Sequence, residues 1–180
     1  MRSERDLILG CQRQEPACQE ALYRRFWSLA MSVALRYAPS RDDALELSND
    51  AFLKAYGGID RVDPDRPFGP WFRQVVVRCA IDRHRSTRRY HATIQPQAEP
   101  PEDATEPEQA SRMEADEILA LLAGLEATPR AVFNLYEIEG YTHDEIAEML
   151  QIAPGTSRSH LTRAKRQLRA MVHQLAHVQP

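Results

Sequence analysis

The sequence predicts an all-α protein, and three observations carry that prediction. Apolar residues recur at three- and four-residue steps along most of the 180 residues, and no stretch shows the alternation of a half-buried strand. Helix starts and stops are written locally, as Ser40, Pro16, Pro154 and the Thr142/Glu145 pair on one side and Gly57-Gly58 and Gly140 on the other. A proline- and acid-rich stretch, 91–111, separates two helical blocks. The expected architecture is two small helical domains, 1–90 and 112–180, joined by a flexible acidic linker, with a helix-turn-helix in the second.

From the start, Ser3 to Gln12 predicts a short helix with Leu7 and Ile8 inward. Pro16 suits the opening turn of the next, which runs to about Tyr37 with Leu22, Phe26, Leu29, Ala30 and Val33 on one face. Pro39 stops it, and Ser40 caps a third helix from Arg41 to about Tyr56. Its apolar stripe is Ala44, Leu47, Ala51 and Ala55; Asp42, Asp43, Glu46 and Asp50 make it acidic. First-turn acids offset the helix dipole, which accounts for Asp42 and Asp43 but not for Asp50. A basic protein partner for this face is the alternative reading.

Gly57-Gly58 and the run IDRVDPDRPFGP predict an ordered surface loop. Trp71 then opens a helix through FRQVVVRCAIDRHRSTRR. Five arginines within twelve residues, Arg78, Arg83, Arg85, Arg88 and Arg89, exceed what a helix C-terminus needs and predict a nucleic-acid surface. Phe68, Trp71 and Phe72 beside them suit stacking on single-stranded bases, with core packing the competing use, above all for Phe72. The linker carries Pro96, Pro100, Pro101 and Pro107 with Glu99, Glu102, Asp103, Glu106 and Glu108, and neither Lys nor Arg.

After the linker, Arg112–Leu125 and a helix begun by Thr128-Pro129 and ended at Gly140 lead into THDEIAEMLQIAPGTSRSHLTRAKRQL, residues 142–168. Thr142 and Glu145 have capping-box spacing, and Ile146, Ala147 and Leu150 share a face. Pro154 starts a second helix carrying Arg158, Arg163, Lys165, Arg166 and Arg169 and no acid, with Leu161, Ala164 and Leu168 on its opposite side. A capped helix, a turn and a basic helix is helix-turn-helix patterning, in which the second helix enters the major groove.

The formal net charge is −3, which masks a strong separation. Residues 112–153 hold nine acids against Arg112 and Arg130, whereas 155–169 has basic groups alone. The local field, rather than net charge, decides where phosphate binds. Cys11, Cys18 and Cys79 are scattered, with no C-x-x-C pair, which speaks against a disulfide framework or zinc site. With no membrane-length apolar run and no signal-peptide core in MRSERDLILG, a cytoplasmic protein is expected. His84, His91 and His143 are expected on polar surfaces, and nothing in the chain has the spacing of a catalytic or metal-binding set.

These blocks, in this order, resemble an extracytoplasmic-function (ECF) sigma factor of bacterial RNA polymerase across nearly the whole chain. EALYRRFWSLAMSVALRYAPSRDDALELSNDAFLKAY resembles the family's core-binding half, PFGPWFRQVVVRCAIDRHRSTRR its −10 helix, and residues 125–168 its −35-reading domain. Gly140, the Glu145-Ile146-Ala147 triplet, Gly155-Thr156 and Arg163-Ala164 fall in register. The chain departs from the pattern at Leu45-Glu46 with Asn49, at Cys79, at Ser157 where a β-branched apolar residue is usual, and at His160.

The resemblance implies a specificity subunit rather than an enzyme, without metal, cofactor or small-molecule substrate. It implies that Asp43, Glu46, Asn49, Asp50 and Phe52 bind core RNA polymerase. Trp71, Arg78, Cys79, Asp82, Arg85, Arg88 and Arg89, with the 57–67 loop, would hold the opened −10 strand of promoter DNA. Thr156, Arg158, Ser159, Thr162, Arg163, Lys165 and Arg166 would hold the −35 duplex. Within that last set Arg158 and Arg163 are expected at base edges or adjacent phosphates, and Lys165 and Arg166 at phosphate only. An anti-sigma factor, often membrane-tethered in this family, is an implied partner, and modification of Ser48 is an alternative control. The competing reading is a two-domain helix-turn-helix regulator that never joins polymerase.

Overall fold

The computed structural model describes residues 2–94 and 115–176, so most of the acidic linker, and the flexibility expected of it, lies outside the described residues. Among the described residues every regular element is a helix. They are α1 (Glu4–Gln12), α2 (Pro16–Tyr37), α3 (Arg41–Gly57), α4 (Phe68–Ile94), α5 (Ala115–Ala123), α6 (Ala127–Phe133), α7 (His143–Leu150) and α8 (Pro154–Ala176). One 3-10 turn, Ile59–Arg61, follows α3, and one π-helical turn, Asn134–Ile138, extends α6. The chain divides into two compact units, Met1–Ala80 and Ile81–Pro180, so α4 contributes to both.

Local chemistry sets the boundaries of the first unit. Ser3 and Asp6 cap α1 reciprocally, and the Ser40 hydroxyl accepts from the Asp43 amide at the start of α3. Helix α4 begins at Phe68, three residues before Trp71, where the proline and glycine had predicted loop. The reason is tertiary: Glu4 Oε1 accepts from the Phe68 amide at 2.6 Å, satisfying an end group of the helix from a residue 64 positions earlier. Pro70 then falls in the first turn, where its missing N–H costs nothing.

The core of this unit is aromatic. Phe52 lies 4.5 Å, ring centre to ring centre, from both Tyr23 and Phe72; Phe68 lies 5.3 Å from Phe72 and 4.8 Å from Phe26. Phe52, Phe68 and Phe72 are fully buried. Helices α1 and α2 approach so closely that a Cβ at Gly10 would fall 2.2 Å from Cys18 Sγ. Gln12 Nε2 donates to the carbonyls of Ile59 and Val62, pinning the 57–67 loop to α1.

The second unit has an aliphatic core, with Leu122, Leu125 and Ala164 buried together and Phe133 and Leu168 packed on them. Thr128 does not cap α6: Glu126 holds that position without a side-chain capping bond, and Thr128 Oγ1 instead lies 3.4 Å from His84 Nε2. The π turn closes through the Glu139 amide to the Asn134 carbonyl, and buried Asn134 donates from Nδ2 to the Arg130 carbonyl. Gly140 follows at φ +78°, a conformation that glycine adopts without strain.

Candidate nucleic-acid and polymerase interfaces

The helix-turn-helix is built from short-range bonds. Thr142 N donates to Glu145 Oε2 at 2.8 Å while Glu145 N donates to Thr142 Oγ1 at 3.3 Å, completing the capping box that starts α7. Gln151, at φ +56°, ends α7 in the left-handed region, and the Ile152 amide returns to the Ala147 carbonyl at 3.0 Å. Pro154 then opens α8.

At about 100° per residue, α8 sorts its side chains cleanly. Ser157, Leu161 and Ala164 are buried, with Leu168 beside them. On the opposite side Gly155, Arg158, Ser159, Thr162, Arg166 and Arg169 are exposed in one strip. Thr156, Arg163 and Lys165 lie on the flanks, half-buried. Each flanking cation is tied to an acid from an earlier element: Arg163 Nη2 to Glu126 Oε1 at 2.6 Å, and Lys165 Nζ to Glu137 Oε1 at 2.8 Å. Arg163, expected with Arg158 at base edges or adjacent phosphates, therefore does not share the exposed strip with it. It points about 140° away, toward α6.

Of the histidines expected on polar surfaces, His84 and His143 make specific contacts. His143 Nδ1 lies 3.0 Å from Ser157 Oγ, and its ring stacks on Tyr136 at 4.5 Å. His84 is half-buried: burial first, then the charges of Arg88, Arg130 and His160, press its pKa down to about 4. Burial likewise lowers His160, helped by Arg163 and Arg88.

In α4, Trp71 is half-buried with its ring 5.3 Å from Phe68, and Arg78, Asp82 and Arg89 are exposed. Arg85 Nη2 donates to the Glu148 carbonyl at 3.0 Å and Arg88 Nη1 to the Leu150 carbonyl at 3.3 Å, both within the second unit. One expectation fails here, and one choice is decided. Cys79 is only 4% exposed, because it falls on the apolar side of α4 with Val76 and Ala80, and its thiol has no route to DNA. Phe68 and Phe72, 0% exposed, take the competing use as core groups, which was expected above all for Phe72.

In α3, Glu46, Asn49 and Asp50 are exposed, and Asp43 is half-buried beside its cap. Asn49 Oδ1 accepts from the Tyr23 hydroxyl at 3.2 Å. Phe52 is 2% exposed and belongs to the aromatic core, so it does not face a partner. Its neighbour Leu53 does stand in solvent, 69% exposed, the most exposed of the large apolar residues described. Sequence reading missed it, although its place outside the Ala44/Leu47/Ala51/Ala55 stripe was the available signal. Ser48 is fully buried, its hydroxyl donating to the Ala44 carbonyl at 2.8 Å, which removes it as a modification site on a folded α3.

Known proteins match this arrangement. Residues 22–90 match the family model described as Sigma-70 region 2, and residues 115–168 match Sigma-70, region 4. Over 170 residues the chain is 30% identical to ECF RNA polymerase sigma factor SigL of Mycobacterium tuberculosis (strain H37Rv), covering 93% of this chain and 96% of SigL. It is 29% identical over 168 residues to ECF RNA polymerase sigma factor SigE of Mycolicibacterium smegmatis, with 89% of this chain but 63% of SigE covered. The fold is similar to that of sigma factor RpoE of Bartonella quintana, solved in complex with the anti-sigma factor NepR, at a TM-score of 0.50 and 19% identity over 89% of this chain and 98% of that one. On the near full-length likeness to SigL, the chain belongs to the ECF sigma factors of bacterial RNA polymerase.

Proposed function

We propose that the chain is a promoter-specificity subunit: it joins core RNA polymerase, opens and holds the −10 strand, and binds the −35 duplex. The observation that carries this reading is the sorting of α8, whose exposed strip runs through Arg158, Ser159, Thr162 and Arg166 opposite a buried seam at Ser157, Leu161 and Ala164. Such a strip suits the major groove, where the first turns of the helix address base edges and later cations address phosphate. Arg163 and Lys165, on the flanks, belong with the phosphates.

In the first domain, taken as 1–90, Glu46, Asn49, Asp50 and exposed Leu53 form the polymerase-facing surface of α3, with Asp43 at its edge. Trp71, Arg78, Asp82, Arg85, Arg88 and Arg89, with the 57–67 loop, serve the −10 strand. The 91–111 segment joins this domain to the −35 domain, 112–180. The chain makes and breaks no bonds itself and works in the cytoplasm. An anti-sigma protein is its keeper, by the precedent of the RpoE–NepR complex.

The test is transcription in vitro with core polymerase and a pool of genomic promoters. A sigma factor yields discrete transcripts only when chain and core enzyme are both present, and the chain alone binds duplex weakly. Tight promoter binding by the chain alone, with no transcripts on adding core enzyme, establishes the regulator instead.

A further inference from the structure

Ser157 is the one buried polar side chain in the seam of α8, and the way it is held fixes more than a local contact. Its amide already closes the first turn of the helix onto the Ala153 carbonyl at 3.0 Å. Its hydroxyl reaches across the turn to His143 Nδ1, at 3.0 Å, on the first residue of α7. The His143 ring is in turn held flat against Tyr136, 4.5 Å away and 20° from parallel, in the π turn. Three successive elements therefore meet at one imidazole.

We infer that the His143–Ser157 hydrogen bond sets the rotation of α8 about its own axis and thereby the base pairs that the exposed strip addresses. This rests on the reading of α8 as the −35 helix. The rest of the seam, Leu161, Ala164 and Leu168, is apolar, and apolar contact is non-directional: it holds the helix in place but tolerates small turns. A hydrogen bond does not, since it weakens steeply as distance and angle depart from the optimum. Arg158 is the next residue after Ser157, so its aim follows the serine directly. A turn of ~10° displaces a group ~8 Å from the helix axis by about 1.4 Å, enough to spoil a base-edge hydrogen bond. His143 and Ser157 are positioning residues: they touch no base and act through Arg158, Ser159 and Thr162.

The surroundings keep the imidazole neutral. Burial lowers its pKa first and the Arg158 charge second, while Asp144 opposes them. The neutral ring keeps one nitrogen for the serine without adding a second positive charge beside Arg158.

The test uses the full chain with core polymerase and a randomised duplex pool, reading both the selected sequence and the ratio of affinity for it over random duplex. The wild type selects one −35 sequence. Ser157→Ala and His143→Phe are expected to change the preferred base at one or more positions, or to lower that ratio at least ~5-fold, with random-duplex affinity within about twofold of wild type. The double variant is expected to do no more than either single one, and Ser157→Thr, which keeps the hydroxyl, to select as the wild type does. Unchanged selection and ratio in both single variants overturns the inference. Should either melt early, His143→Asn carries the test, because its amide offers a hydrogen-bonding atom near the place of Nδ1 without the ring: wild-type selection supports the bond, and altered selection overturns it. A wild-type chain that selects no duplex at all refutes the −35 reading itself, a separate outcome.

Discussion

The two units solve the same problem, a small helical core with a charged working face, by different chemistry. The first packs aromatic rings around Phe52 and leaves a large apolar group, Leu53, outside among Glu46, Asn49 and Asp50. The second packs aliphatic side chains under α8, lets no large apolar group onto the strip through Arg158, Ser159, Thr162 and Arg166, and clamps its flanking cations with Glu126 and Glu137. A face for protein gains from an exposed apolar anchor ringed by charge. A face for DNA gains from donors alone, since phosphates and base edges offer mainly acceptors. The units also differ in titration: all six histidines stand at position 84 or later, inside the second unit.

The comparison breaks most sharply at neighbouring residues of α3. Phe52→Ala should cost ~3–5 kcal/mol of unfolding free energy, because it empties the centre of the aromatic cluster. Leu53→Ala should change it by less than ~0.5 kcal/mol, yet weaken binding to core polymerase. Denaturant melts and core-enzyme titrations of both variants decide it. Equal melts would place Phe52 on the surface and undo the division between core and face.

Acid sharpens the contrast between units. The unfolded chain protonates His84 near its ordinary pKa of 6.5, whereas the folded unit resists until about pH 4. Stability supplied by this site is therefore complete above the unfolded pKa and drains away as pH falls from 6.5 toward 4. At ~1.4 kcal/mol per pKa unit the loss amounts to up to ~3 kcal/mol. His84→Gln should flatten that slope in thermal melts of the full chain. Lowered carboxylates of the first unit, Asp6 and Glu15, begin to matter only at more acidic pH.

On α8 the strip and its flanks should part company. Arg158→Ala should cost ~1–3 kcal/mol on the selected −35 duplex and relax selectivity at one position. Arg163→Ala should weaken all duplexes alike, because its guanidinium is spent on Glu126 and phosphate. Competition binding with selected and scrambled duplexes distinguishes the two patterns. The smallest effect belongs to the acids of α3: Asp50→Lys should weaken holoenzyme assembly by ~0.2–1 kcal/mol, less at high salt, with the second unit's DNA binding unchanged.

Much of this was legible in the sequence because it is local. The caps at Ser40 and Thr142, the prolines at 16 and 154 and the basic run after Gly155 signal through near neighbours, and the helix starts they mark stand as read. What escaped depends on contacts distant in sequence. Ala44, Ala51 and Ala55 are small enough for α2 to approach α3 closely, so burial spreads past the stripe to Ser48 and Phe52. Spacing along one helix cannot report that. The start of α4 was hidden for a similar reason, since its capping carboxylate belongs to Glu4, 64 residues earlier. The sequence also set Arg158 and Arg163 in one role, and the carboxylate of Glu126, 37 residues earlier, separates them.

The clamped cations have a consequence for ionic strength. A free lysine or arginine that binds phosphate expels a condensed counterion from DNA, adding about 0.9 to the magnitude of the slope of log affinity against log salt. Arg163 paired with Glu126, and Lys165 paired with Glu137, carry little net charge, so a pair that stays intact beside the duplex neutralises no phosphate and displaces no counterion. Intact pairs thus add nothing to the salt slope. The second unit should behave, in a salt titration, like a protein with two fewer phosphate contacts than its basic residues suggest.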